Sequence, residues 1–261
     1  MSAEAAKGLF VFVAGMVVGS FLDVCIYRIP KGISLLSPGS LCPKCERAIR
    51  FYDNIPVVSF LLLWGRCRRC GERIGWTYPA VELLTGLVFL ALSVGMGWAM
   101  AMVRLCVLSA VLIPAAVIDL RHGIIPDRIT YPAMGIGVLL ALPGGWGAVI
   151  RSVIGLAVGG GVLYGVALLG SALLRRDSLG GGDIKLLAAI GAFLGWQGAL
   201  WSLFLGALIA LAVGVALMLF ARRDHRGTIL FGPFLALGAA ACVALARLGF
   251  VMGLSSVPTP W

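Results

Sequence analysis

Charged side chains are scarce in this 261-residue chain, at 12% of the total, where a water-soluble domain carries about a quarter. Acidic residues are rarer still, 11 in all. With 61% apolar residues and a mean hydropathy of +1.03, no single globule of this size can hide its apolar surface. A water-soluble core is excluded, and lipid must be the solvent for most of the chain. The first apolar stretch follows Lys7 but has no small-residue cleavage site at its end, so a retained helix is expected rather than a removable signal peptide. No G-x-G-x-x-G opens a helix after a strand, which excludes a dinucleotide-type fold. The formal charge of +10 belongs to a basic membrane protein, and no nucleic-acid partner follows from it.

What is present is a series of apolar segments. The first, residues 8–27, has the 20 residues that a hydrocarbon layer of roughly 30 Å requires at about 1.5 Å per residue. Seven more follow at about 79–97, 101–118, 129–142, 149–169, 184–195, 199–220 and 229–250. The predicted fold class is an all-α polytopic membrane protein of about eight transmembrane helices with a small zinc-binding insert after the first. Three regions are expected: a first helix over 1–27, an insert over 28–78, and a seven-helix membrane domain over 79–261. The frequent glycines fit close helix packing and carry no functional signal by themselves.

Basic residues set the expected orientation. Seventeen of the 21 Lys and Arg fall in the 28–78 insert or in the loops at 119–128, 171–185 and 221–228, the last two holding Arg175, Arg176, Arg222, Arg223 and Arg226. Lys7, Arg104, Arg151 and Arg247 are left on the other face. Eight spans make this alternation consistent, so the positive-inside rule predicts a cytoplasmic insert and both termini outside.

The insert is too short for an ordinary core, so something besides apolar burial must hold it. It contains Cys42-Pro-Lys-Cys45 and Cys67-Arg-Arg-Cys70, two C-x-x-C pairs with 21 residues between them. Two knuckles presenting two thiolates each complete a tetrahedral zinc shell, and the metal supplies the missing folding energy. Neighbouring Arg and Lys side chains offset the negative charge of such a centre. A dithiol couple is the alternative, but disulfides rarely persist in the cytoplasm. Cys25, Cys106 and Cys242 lie in apolar segments and read as small buried hydrophobes.

Few acids lie near the spans. Asp23 and Glu82 fall near the cytoplasmic ends of the first two, Asp119 closes the third, Asp127 follows Pro126, and Asp183 opens the sixth after Gly180-Gly181-Gly182. A charge at membrane depth is a functional hypothesis by default. Bland readings exist for each: Asp127 as a turn or N-cap residue, Asp183 as an N-cap, Asp119 paired with Arg121. Topology argues for more. Asp119 ends an outside-to-inside helix and Asp183 begins an inside-to-outside one, so both reach the cytoplasmic edge. Two carboxyl groups sharing one proton there could activate water and polarise a peptide carbonyl. The glycines before Asp183 would let a peptide backbone approach.

At these residues the sequence resembles the bacterial prepilin peptidases, the type IV leader peptidases of the GxGD aspartic protease class. Gly19-Ser20-Phe21-Leu22 with Tyr27-Arg28-Ile29-Pro30 resembles the family's first helix. Cys42 to Cys70, with Asn54-Ile55-Pro56 and Gly65, is similar to its zinc-binding insert, and Tyr78-Pro79 and Glu82 follow. Asp119 through Asp127 and Gly181-Gly182-Asp183-Ile184-Lys185-Leu186 resemble its two aspartate blocks, and Phe231-Gly232-Pro233-Phe234 its terminal helix.

The resemblance implies an inner-membrane endopeptidase that removes leaders from prepilins and pseudopilins of type IV pilus and type II secretion systems, with Asp119 and Asp183 catalytic. It also implies N-methylation of the new terminus by S-adenosylmethionine, attributed to the insert region. Gly181, Gly182, Lys185, Asp127, Glu82 and Asp23 are supporting candidates. Asp23 departs from the family, which usually has asparagine there. Three rival readings are a proton-coupled transporter, whose acids should sit at the bilayer midplane between repeats, a membrane thiol oxidoreductase using the cysteine pairs, and a zinc-stabilised scaffold of a secretion apparatus with no catalysis.

Overall fold

The computed structural model describes residues 3–37, 39–42, 44–94, 100–174, 180–220 and 230–249. Arg175, Arg176, Arg222, Arg223 and Arg226, which carry part of the orientation argument, lie outside the described residues, as do the ends of the segments predicted at 79–97 and 229–250. The described residues are mostly helical and contain no strand, only isolated bridges at Leu41–Ala48 and Arg66–Arg73. Two compact units result, Met1–Pro114 and Ala115–Trp261.

In the first unit, α1 spans Ala3–Arg28. A 3-10 turn at Phe51–Asn54 and the one-turn helix α2, Val58–Leu62, follow within the insert. Then come α3, Thr77–Ser93, and the start of α4, Met100–His122. Helices α1 and α3 pack backbone to backbone. A methyl group added at Gly15 would lie 2.8 Å from the Gly86 Cα, and one at Gly19 would lie 2.7 Å from the Glu82 Cα. Small residues permit this approach, and dispersion and polar contacts drive it where lipid removes the hydrophobic incentive. The opposite face of α1 leaves Leu9, Phe10, Val17 and Phe21 more than half exposed, as a lipid-facing surface requires.

The second unit holds the end of α4, then α5, Asp127–Leu139, α6, Gly145–Leu174, α7, Gly181–Phe220, and α8, Gly232–Arg247. The centre is the first half of α7, where Leu186, Leu187, Ile190, Phe193 and Leu194 are at most 1% exposed. Helix α6 crosses α7 so tightly that a methyl at Gly191 would meet the Gly155 carbonyl oxygen at 2.0 Å. The segments predicted at 184–195 and 199–220 are the two halves of α7. They meet at Gly195, whose φ of 75° breaks the helix and favours glycine.

Four stretches are long and apolar enough to cross a membrane: Glu4–Arg28, Met100–His122, Asp127–Ala172 and Gly181–Leu219, with Thr77–Ser93 and Gly232–Arg247 as shorter apolar helices. The segment expected at 129–142 forms α5, whose 13 residues reach only about 20 Å at 1.5 Å per residue. The 3-10 turn Leu142–Gly144 joins it to α6.

Candidate active site and metal centre

The insert is built on two knuckles of one design. Cys42 N–H donates to the Arg47 carbonyl and Glu46 N–H returns to the Cys42 carbonyl; Cys67 with Glu72 and Gly71 with Cys67 repeat the pattern. The ligand atoms of Cys42, Cys45, Cys67 and Cys70 all lie within 4.8 Å of one another. The Cys42 and Cys70 sulfurs are 3.8 Å apart. Tetrahedral zinc with Zn–S bonds of about 2.3 Å sets ligand sulfurs about 3.8 Å apart, so the donor set fits that ion. Backbone N–H groups of Cys70 and Arg69 pull the Cys67 thiol down to about 7, while burial and the three neighbouring sulfurs push the Cys70 thiol up to about 11.

The two knuckles differ at one backbone position. The fourth residue after the first cysteine adopts a positive φ in both, Glu46 at 54° and Gly71 at 71°. A non-glycine residue there costs about 1 kcal/mol. We expect Glu46→Gly to tighten zinc retention, raising the chelator concentration at half-release about fivefold. An unchanged midpoint would mean that the Glu46 side chain supplies compensating contacts.

Outside the metal cluster the insert is tied by Arg68, whose guanidinium grips Asp53 through bonds of 2.7, 2.9 and 3.1 Å. The Arg28 guanidinium at the end of α1 donates to the Ser34 and Gly39 carbonyls at 2.9 and 2.8 Å. These charge-assisted bonds do what apolar burial cannot in so short a segment.

In the second unit two glycines next to the candidate acids, Gly182 and Gly232, pack on Ile125. Helix α4 ends where Gly123, with φ of 65°, donates its N–H to the Asp119 carbonyl at 2.8 Å, a left-handed C-terminal cap. The chain then passes Ile125 and enters α5. Asp119 is 5% exposed, and its Oδ2 accepts the Gly232 N–H at 3.1 Å. That N–H is one of the donors a helix N-terminus leaves unsatisfied, and it comes from the start of α8. A side chain at residue 232 could not coexist with this bond, since a Cβ there would lie 2.7 Å from Asp119 Oδ2.

Asp183 stands third in α7, and its Oδ1 is buried with no hydrogen-bond partner among the described residues. Gly182, beside it, packs on Ile125, where an added methyl would lie 2.8 Å from the Ile125 Cβ.

The bland readings fare differently. Asp119 bonds to the Gly232 N–H, and among the described residues no ion pair joins it to Arg121. Asp127 is not the N-cap of α5, a position held by Pro126 without a side-chain cap. Its Oδ1 instead accepts Lys185 Nζ at 2.6 Å, and the ammonium lies 5.1 Å from the Tyr131 ring. This pair joins the N-terminus of α5 to that of α7, two residues beyond Asp183. Nor is Asp183 an N-cap, since it lies inside the first turn. Of the three glycines, Gly182 serves internal packing, while Gly181 has open space where a side chain would stand. The Gly232 N–H and the Ile125 side chain escaped sequence reasoning. A Gly-Pro pair opening a helix was the signal that could have found the first.

Asp23 and Glu82 belong to the first unit, on α1 and α3, and are 7% and 9% exposed. Glu82 Oε2 accepts the Val57 N–H at 2.7 Å.

These features agree with the comparisons. The bacterial peptidase A24 N-terminal domain matches residues 13–96, and the type IV leader peptidase family matches residues 106–215. The chain belongs to the type IV leader peptidase family. It is 42% identical over 211 residues to a prepilin leader peptidase/N-methyltransferase of Myxococcus xanthus, covering 81% of this chain and 63% of that protein. It is 38% identical over 266 residues to a type 4 prepilin-like proteins leader peptide-processing enzyme of Escherichia coli, covering 94% and 96%. A prepilin leader peptidase/N-methyltransferase of Burkholderia pseudomallei is 35% identical over 260 residues, with 89% and 83% covered. No solved structure gives a significant match.

Proposed function

We propose that this chain is an inner-membrane aspartic endopeptidase that removes the leaders of prepilins and pseudopilins and then methylates the exposed N-terminus. One observation supports the cleavage site above all: Gly232, whose N–H bonds to Asp119, and Gly182, beside Asp183, both pack on Ile125, which brings the starts of α7 and α8 to the end of α4. Two carboxyl groups brought together there favour holding one proton between them. The ionised carboxylate takes a proton from water as the oxygen bonds to the scissile carbonyl carbon, while the protonated carboxyl gives its proton to the carbonyl oxygen. Collapse then breaks the C–N bond, and the departing nitrogen receives a proton from the pair. The Gly232 N–H orients Asp119, and Lys185 on Asp127 anchors the start of α7. Gly181 offers the open flank along which a substrate backbone can run.

The Cys42, Cys45, Cys67 and Cys70 set would hold structural zinc, which fixes the two knuckles and performs no chemistry because its shell is closed. S-adenosylmethionine, when bound, supplies an electrophilic methyl group to the new terminal amine. The distribution of basic residues puts the insert and the carboxylates on the cytoplasmic side, with both termini outside and about eight spans in lipid. A basic leader would then stay inside while the apolar helix of the substrate remains in the bilayer.

Incubating purified protein with a prepilin, with and without S-adenosylmethionine, tests both activities by mass analysis of the product. Leader loss in both samples and a further gain of about 14 Da only with the donor are expected, one hydrogen being replaced by a methyl group. An intact prepilin would overturn the peptidase reading, and an unmethylated product the second activity.

A further inference from the structure

The first unit contains a cavity of about 520 Å³ between α1, the insert and the start of α3. Cofactor sites have this order of volume, about 300–1,000 Å³. Three kinds of side chain stand out in its walls, beside apolar residues and further basic ones such as Arg28 and Arg73. Asp23 and Glu82 line it, and both are more than nine-tenths buried. Tyr27, Phe60 and Tyr78 add aromatic surface, and Arg47 and Arg69 reach it from the two knuckles. The Lys31 ammonium already lies 3.7 Å from the Tyr27 ring centroid, so one of these rings carries a cation.

A strained segment holds one carboxylate in place. Val57 has φ of 60° and ψ of −46°, a conformation that a β-branched residue adopts only when its surroundings enforce it. That same residue donates its N–H to Glu82, and the Ser20 hydroxyl bonds to Glu82 as well. Both donors to Glu82 are uncharged, and Glu82 from α3 and Asp23 from α1 line one cavity where a cationic ligand would meet two carboxyl groups.

We propose that this cavity is the methyl-donor site, with Asp23 and Glu82 recognising the positive charge of the sulfonium. The inference rests on the methyl-transfer reading given above. A nucleoside sulfonium matches all three wall types. Its cationic centres suit the carboxylates, its amino-acid carboxylate suits Arg47 and Arg69, and its flat purine suits the rings. The assignment makes a charge-specific claim. S-adenosylhomocysteine lacks the donor's methyl group and, with it, the positive charge on sulfur. The buried carboxylates should therefore favour the donor over that product, and Asp23 contributes part of the preference.

The test measures the dissociation constants of both compounds by calorimetry on zinc-loaded, full-length protein in detergent. Asp23→Asn and Glu82→Gln should each lower the donor-over-product preference about tenfold, whereas Asp23→Glu should largely retain it. A general loss of structure would weaken both compounds alike, and zinc content and melting temperature identify it. Wild-type binding and methylation with a preference unmoved in both neutral variants would overturn the cavity assignment and leave methyl transfer standing. Wild-type protein that binds neither compound and yields unmethylated product would overturn the two together.

Discussion

Asp119→Asn and Asp183→Asn should each slow leader removal by about a thousandfold or more, while zinc content and thermal stability stay close to wild type. The amide keeps the shape of the carboxyl but can neither take the proton from water nor hold the shared one, and general acid–base participation is worth about 10² to 10⁴ in rate. The structure makes these substitutions clean. The amide oxygen of residue 119 still accepts the Gly232 N–H, and Asp183 Oδ1 has no described partner to lose. The measurement is the single-turnover cleavage rate of a prepilin by purified variants. If both retain most of that rate, the carboxylate pair is not the cleavage machinery. Asp183→Ala should be no more active than Asp183→Asn, because the loss lies in the proton and not in the volume.

Removing zinc should have an effect of similar size on a different property. Structural zinc contributes roughly 10–16 kcal/mol of apparent binding free energy in small knuckle domains, and this insert has little else. Cys42 is the most buried of the four ligands. Cys42→Ser should therefore lose bound metal, expose the insert to protease between residues 30 and 75, and abolish binding of S-adenosylmethionine if the neighbouring cavity is its site. Acid should act in the same direction. Protons compete with the metal for all four thiolates, so half-release by a fixed chelator should shift to lower chelator concentration between pH 7.5 and 6. A metal-free protein with an oxidised cysteine pair and an intact insert would instead support the dithiol reading.

The supporting residues separate according to the range of the interactions that define them. The knuckles were legible because each is a local turn, with ligands three residues apart and hydrogen bonds closing over four or five. The membrane character was legible from composition alone, since lipid as solvent imposes a requirement on every residue of a span. The neighbours of Asp127 suggest a turn or an N-cap, and sequence position does not reveal that Lys185, 58 residues on, claims its carboxylate. The Gly232 N–H on Asp119 bridges 113 residues, and no local pattern encodes such a distance. The short apolar segment expected at 129–142 forms a helix over Asp127–Leu139, shifted by two or three residues because the chain caps at Leu140.

The amino-acid order alone determined that the chain lives in lipid, that four cysteines form two equivalent knuckles, and that two aspartates stand at the ends of apolar segments. Composition and spacing of a few residues suffice for each. Tertiary structure decided which acids meet and what surrounds them. Gly232, bonded to Asp119, and Gly182, beside Asp183, both pack on Ile125, and Asp23 and Glu82 line a separate cavity against a strained Val57. Side chains so far apart along the chain become neighbours only through helix packing at glycine contacts, and those contacts depend on the whole folded unit.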